Sequence, residues 1–142
     1  MPHPDNNSTA IPNIDRLQEI FARFPEILAV YLFGSTAEGR SNHQSDLDLA
    51  IVPSSADLKK KKLEILHQLT KAGFDNIDLV FIDTKDIVLR YEAIRSNCIV
   101  YQTEEFDRGE MYSRVVREYL DFLPYLKVQR EAYKRRLLNG QT

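Results

Sequence analysis

The chain has 142 residues, 43% of them hydrophobic, and 19 Lys plus Arg against 21 Asp plus Glu leave a formal charge of −2. That length makes one domain that buries roughly two thirds of the surface its unfolded form exposes, enough for a core without disulfides or metal staples. The single Cys98 closes no internal disulfide, the N-terminal MPHPDNNSTAIP lacks the apolar run of a signal peptide, and no stretch approaches the ~18 apolar residues of a membrane span, so a cytoplasmic protein is expected and membrane association is not.

Residues 1–12 are polar and Pro-containing and read as a flexible arm. Ile14, Leu17, Ile20, Phe21 and Phe24 then fall on one helical face, ended by Pro25. Ile27 to Phe33 (ILAVYLF) reads as a buried strand closed by Gly34, and after a polar, turn-rich loop the run Leu47 to Val52 reads as a second strand stopped by Pro53. Ser54 is expected to cap a helix carrying Leu58, Ile65, Leu66 and Leu69 as far as Gly73, with Lys59 to Lys62 as a solvated face. Ile77 to Ile82 makes a third strand, Thr84 to Arg95 a helix, and Cys98 to Tyr101 a short strand in which Cys98 is a small buried residue. Beyond the acidic EEFDRGE linker, Val115, Val116, Tyr119, Leu120 and Leu123 form a helical face, Pro124 kinks or restarts the helix, and Leu126, Tyr133 and Leu137 continue it. This alternation predicts an α/β (α+β) domain with a mixed β-sheet flanked by helices, spanning 13–103, and a helical extension over 104–142.

The chemistry is concentrated between the first two strands, in Gly34-Ser35-TAEGRSNHQS-Asp46-Leu47-Asp48. Side chains at i and i+2 of a strand share a face about 6.6–6.8 Å apart, so Asp46 and Asp48 project together. Two neighbouring carboxylates at the edge of an apolar strand repel and lose solvation, a conflict that a divalent cation removes. Asp78 repeats the anomaly in the third strand. If that strand lies beside the second, three carboxylates converge and can hold two magnesium ions in oxygen-rich coordination. Asp83, at the strand end, is better read as a cap or turn residue. Gly34 allows a phosphate chain to approach backbone N–H groups and Ser35 adds a hydroxyl donor, so a nucleoside triphosphate is the natural ligand.

With those residues in view, YLFGSTAEGRSNHQSDLDLAIV resembles the GS-x10-DxD signature of the DNA polymerase β-like nucleotidyltransferase superfamily. DLVFID, VLRYEAIRSNCIVYQ and EYLDFLPYL are similar to segments of its minimal nucleotidyltransferase branch, paired with HEPN-domain toxins; the likeness runs through most of residues 13–138. Two fixed pairs at one spacing arise by chance on the order of once per thousand chains of this size. The resemblance implies the nucleotidyltransferase fold and transfer of AMP from ATP, with magnesium, to a tyrosine hydroxyl of a partner HEPN toxin, the chain acting as antitoxin in a hetero-oligomer. Asp46, Asp48 and Asp78 would be the catalytic and metal-holding residues, and Gly34 and Ser35 the nucleotide-binding ones. Thr36 and Glu38 stand where many relatives carry basic residues, which leaves Arg40 as the nearest cation for the triphosphate; Gly39 keeps the family's turn.

Two other readings remain open at this level: an antitoxin that neutralises by binding alone, and a nucleotidyltransferase acting on a small molecule. A domain this small has little surface with which to enclose a second small substrate, which favours an acceptor presented by a protein. The near-neutral balance argues against direct nucleic-acid binding. The cationic stretch KVQREAYKRR reads as a solvated helix end favoured by the helix dipole, with an acidic partner surface as the sharper alternative to a nucleic-acid patch. Tyr112, Tyr119, Phe122, Tyr125 and Tyr133 read mostly as packing residues, some able to dock a partner.

Overall fold

A computed structural model describes residues 13–34 and 47–140 of the chain. The expected arm at 1–12 lies outside the described residues, as do Ser35, Thr36, Glu38, Gly39, Arg40 and Asp46. The chain runs α1 (Ile14–Ala22), β1 (Ile27–Phe33), β2 (Leu47–Pro53), a 3₁₀ helix (Ala56–Lys61), α2 (Lys62–Lys71), β3 (Ile77–Phe81), α3 (Ile87–Ile94), β4 (Cys98–Gln102) and α4 (Arg108–Leu138). The sheet order is β3-β2-β1-β4. β1 pairs antiparallel with β2 and with β4, while β2 and β3 run parallel, so the sheet is mixed as the sequence suggested. Parallel neighbours need a crossover, and the 3₁₀ helix with α2 supplies it.

Alternation along the strands divides the core in two. Val30, Leu32, Leu49, Ile51, Leu79 and Val100 face one way and meet Leu17, Ile20 and Phe21 of α1 and Ile65 and Leu69 of α2. Ala29, Tyr31, Ala50, Val52 and Ile82 face the other way, against Ala93 and Ile94 of α3 and Met111 and Val115 of α4. Asp48 and Asp78 share the parity of this second face.

Five local expectations are corrected. Ser54 does not cap a helix: its N–H donates to the Glu26 carbonyl at 2.8 Å, which ties it to the start of β1. The segment after it winds as a 3₁₀ helix from an N-cap at Ser55 that makes no side-chain capping bond, burying Leu58. The lysine run is not simply solvated either, because Lys59 pairs with Asp83 at 3.2 Å and Lys61 with Glu26 at 3.0 Å. The following helix starts at Ile87 instead of Thr84, since the Asp86 carboxylate accepts the Leu89 N–H at 3.1 Å and caps it there. Cys98 is half-buried against the core edge rather than within it.

The fifth correction concerns α4, which does not restart at Pro124 but runs through it as one continuous helix of 31 residues. Proline removes the hydrogen bond to the carbonyl four residues back, at Leu120. Both residues are exposed, so water can satisfy that carbonyl without breaking the helix. The packed stripe also differs from the expected one: Met111 and Val115 are buried, Tyr119 stacks on Tyr91 of α3 at 3.8 Å between ring centroids, and Leu120 is 56% exposed.

Candidate active site

The site grows from the ends of three strands. Leu47 enters β2 with its N–H donating to the Asn76 carbonyl at 2.7 Å, which brings the start of β2 beside the start of β3. The parallel register then pairs Asp48 with Asp78, and the antiparallel register pairs Asp48 with Phe33 at the end of β1. Neighbouring strands lie about 4.7–4.9 Å apart and paired residues of a parallel ladder point to the same face, so the two carboxylates stand side by side. Asp48 is half-buried and Asp78, on the edge strand, is exposed. β3 thus lies beside β2, the condition set from the sequence, and brings Asp48 and Asp78 together, while Asp46 lies outside the described residues.

Gly34 completes the described part of the site for a reason the sequence did not reveal. It has φ +77°, the left-handed region where a side chain is strained, and a Cβ there would overlap Asp48 Oδ2 and stand 3.1 Å from its Cγ. The glycine thus lets the Asp48 carboxylate lie over the backbone at the entrance of the loop, in addition to any room it gives a phosphate. Ser35, Arg40 and Asp46 flank this point in sequence but lie outside the described residues. Asp83 is engaged by Lys59 and does not join the pair.

Among the described residues, no cluster of three His, Cys, Asp or Glu side chains converges on a metal position. Asp48 and Asp78 nevertheless make two thirds of the expected donor set, and their chemistry fits a hard cation such as magnesium: carboxylate oxygens only, side by side, one open to solvent.

Two features of this sheet face were not anticipated. Tyr31 is fully buried, its hydroxyl finds no hydrogen-bond partner among the described residues, and burial pushes its pKa up to about 12 despite the opposing charge of Arg108. Inside ILAVYLF it reads as one more apolar residue, and nothing local signals an unmatched hydroxyl. A cavity of about 380 Å³ also opens at the far ends of β2 and β3, lined by Val52, Ile82, Phe106, Met111, Arg90 and Arg114 among others. Val52 lies four residues beyond Asp48 on β2, roughly 13 Å along the strand. No helix of the described residues is long and apolar enough to cross a membrane.

Comparison with known proteins places this geometry. A family model described as Polymerase beta, Nucleotidyltransferase matches residues 15–106. A curated relative, the protein adenylyltransferase MntA of Shewanella oneidensis, is 25% identical over 83 residues, which cover 58% of this chain and 60% of that protein. The alignment thus spans less than two thirds of the relative's length. Among solved structures, a toxin–antitoxin with AMP-PNP aligns with a TM-score of 0.68 at 20% identity, covering 89% of this chain and 99% of the other. A tri-AMPylated Shewanella oneidensis HEPN toxin in complex with its MNT antitoxin aligns with a TM-score of 0.61 at 19% identity, covering 89% and 96%. At these identities the structural likeness speaks for the fold.

Proposed function

The chain belongs to the polymerase beta nucleotidyltransferase family, and from that premise we propose that it transfers AMP from ATP to a tyrosine hydroxyl of a partner HEPN toxin, acting in the cytoplasm as the antitoxin of the pair. The observation that carries this reading is the in-register placement of Asp48 against Asp78 beside Gly34. Support for the acceptor comes from the MntA relative, named as a protein adenylyltransferase, and from the AMPylated toxin bound to an antitoxin of the same fold. In this reading residues 13–103 carry the chemistry and 104–142 serve the partner.

Asp46, Asp48 and Asp78 would hold one or two magnesium ions, which when bound neutralise the triphosphate and acidify the acceptor hydroxyl. The chain's own residues do the rest. Gly34 and Ser35 receive phosphate oxygens at the end of β1, with Arg40 as an additional cation for the triphosphate. Asp78, open to solvent on the edge strand, accepts the tyrosine proton at its carboxylate. The oxygen–α-phosphorus bond to tyrosine forms as the bond to the bridging oxygen breaks, and pyrophosphate departs. In-line transfer of this kind asks the protein mainly for positioning and charge compensation. Ser35 binds phosphate and forms no covalent intermediate.

Incubation of the protein with magnesium, the toxin encoded beside it and ATP labelled at either the α- or the γ-phosphate tests the reading. Label on the toxin from α-labelled ATP alone is expected. Label from γ-labelled ATP would identify a kinase, and label from neither would leave neutralisation by binding as the better account.

A further inference from the structure

The second half of α4 carries a feature that catalysis does not use. On an ideal helix Val115, Tyr119, Phe122, Leu126, Tyr133 and Leu137 fall within about 60° of one another, a single stripe. Its first part is occupied: Val115 is buried, Tyr119 stacks on Tyr91, and Phe122 borders a cavity with Lys85, Asp86 and Ile87 at the start of α3. The stripe then runs past the domain. Apart from Ala132, every residue from 127 to 140 is exposed, Tyr133 by 56% and Leu137 by 50%. Residues 123–138 span roughly 24 Å of helix, and an unsupported helix of that length is marginal in water.

Charge selects what can cover this overhang. Lys127, Arg130, Lys134, Arg135 and Arg136 face a single Glu131, and none of the five cations forms an ion pair among the described residues. Arg130 and Lys134 flank the stripe on one side and Arg136 on the other, with the Arg136 guanidinium 5.9 Å from the centre of the Tyr133 ring. Two copies of the chain pairing along this stripe would oppose like charges. A complementary surface is apolar at its centre and acidic at its rim. We infer that the Leu126–Tyr133–Leu137 stripe, with its flanking Arg130, Lys134 and Arg136, is a docking surface for an acidic-rimmed, apolar-centred face of the partner toxin. The identity of that partner rests on the function proposed above. A helix face about 24 Å long and ~10 Å wide is less than the ~800 Å² per partner of a standard interface, so the overhang is an anchor within a larger contact. It would hold the toxin while the acceptor tyrosine reaches Asp78.

The test measures the dissociation constant of the full-length chain for the toxin encoded beside it, by calorimetry at low and high salt, alongside toxin labelling. The double variants Arg130→Glu/Lys134→Glu and Tyr133→Ser/Leu137→Ser are each expected to weaken binding about tenfold or more. The loss in the charge variant should shrink at high salt, and Lys134→Arg should bind normally. Helical circular dichroism checks that α4 persists; if a variant melts it, the conservative apolar pair Tyr133→Leu/Leu137→Ala supplies the reading. Dissociation constants within about twofold of wild type in both double variants would overturn the inference. So would variants that lose affinity for a single-stranded RNA but keep it for the toxin. A wild-type chain that binds the toxin through this stripe without labelling it would sink the catalytic reading and leave the docking surface standing, while labelling with both variants binding normally would do the reverse.

Discussion

On one face of the sheet, Val30, Leu32, Leu49, Ile51, Leu79 and Val100 meet α1 and α2 with none more than 2% exposed. The opposite face holds at Tyr31 a buried hydroxyl without a partner among the described residues, a half-buried carboxylate at Asp48 and an exposed one at Asp78. The same strands build both. The closed face shows where stability resides, in side chains that interdigitate without polar interruption. The other face ends at the edge strand β3, which leaves Asp78 in solvent and Asp48 half-buried beside it, and these two carboxylates are the groups to which the proposed function assigns the nucleotide's metal.

Substitutions on the two faces should separate accordingly. Ile51→Ala, on the closed face, is expected to cost about 2–5 kcal/mol in urea unfolding while leaving the labelling rate per folded molecule unchanged. A loss of activity without loss of stability would break the distinction. Gly34→Ala should cost about 1–2 kcal/mol from its left-handed backbone, and because the new Cβ displaces the Asp48 carboxylate, labelling should fall by more than that destabilisation explains. Tyr31→Phe removes a hydroxyl that finds no partner among the described residues and is expected to be neutral or stabilising by up to ~1 kcal/mol. It also carries a pH signature. Because the folded-state pKa is raised from 10.0 to about 12, Tyr31 costs no stability below pH 10 by titration, but stability falls as pH rises between those values. The difference between wild type and Tyr31→Phe across that window isolates it. The smallest effect is expected at Lys61→Ala. The hydrogen bond from Lys61 holds the Glu26 carboxyl below its ordinary value of 4.5, so its stabilising contribution is present above that value and lost as pH falls through the lower folded-state one. Unfolding curves of wild type and variant should therefore converge in acid.

Much of this division was legible in the sequence. β1 and β2 stand where apolar runs were bounded by Gly34 and Pro53, because a continuous buried run between breakers has few alternatives. The pairing of Asp48 with Asp78 could only be stated conditionally, since strand order is decided by the whole sheet and not by either strand. Ser54 misled because a cap signal is local whereas its N–H was claimed by Glu26, across the sheet. Of the kink or restart that Pro124 suggested, the restart does not occur, because the penalty of proline depends on what surrounds the orphaned carbonyl, and at Leu120 that is solvent. Gly34 stood out in the sequence for the phosphate it would receive, and its contact with Asp48 became visible only when β1 and β2 were side by side.

The central claim is that the carboxylates of the open face perform the transfer. It is tested most directly by comparing toxin labelling from α-labelled ATP in wild type, Asp48→Asn, Asp78→Asn and Asp83→Asn. The first two variants should lose roughly 10²–10³-fold or more in rate with unfolding curves close to wild type, and Asp83→Asn, which breaks the contact with Lys59, should label at nearly the wild-type rate. Full labelling by Asp78→Asn, or loss of labelling in Asp83→Asn alone, would contradict it.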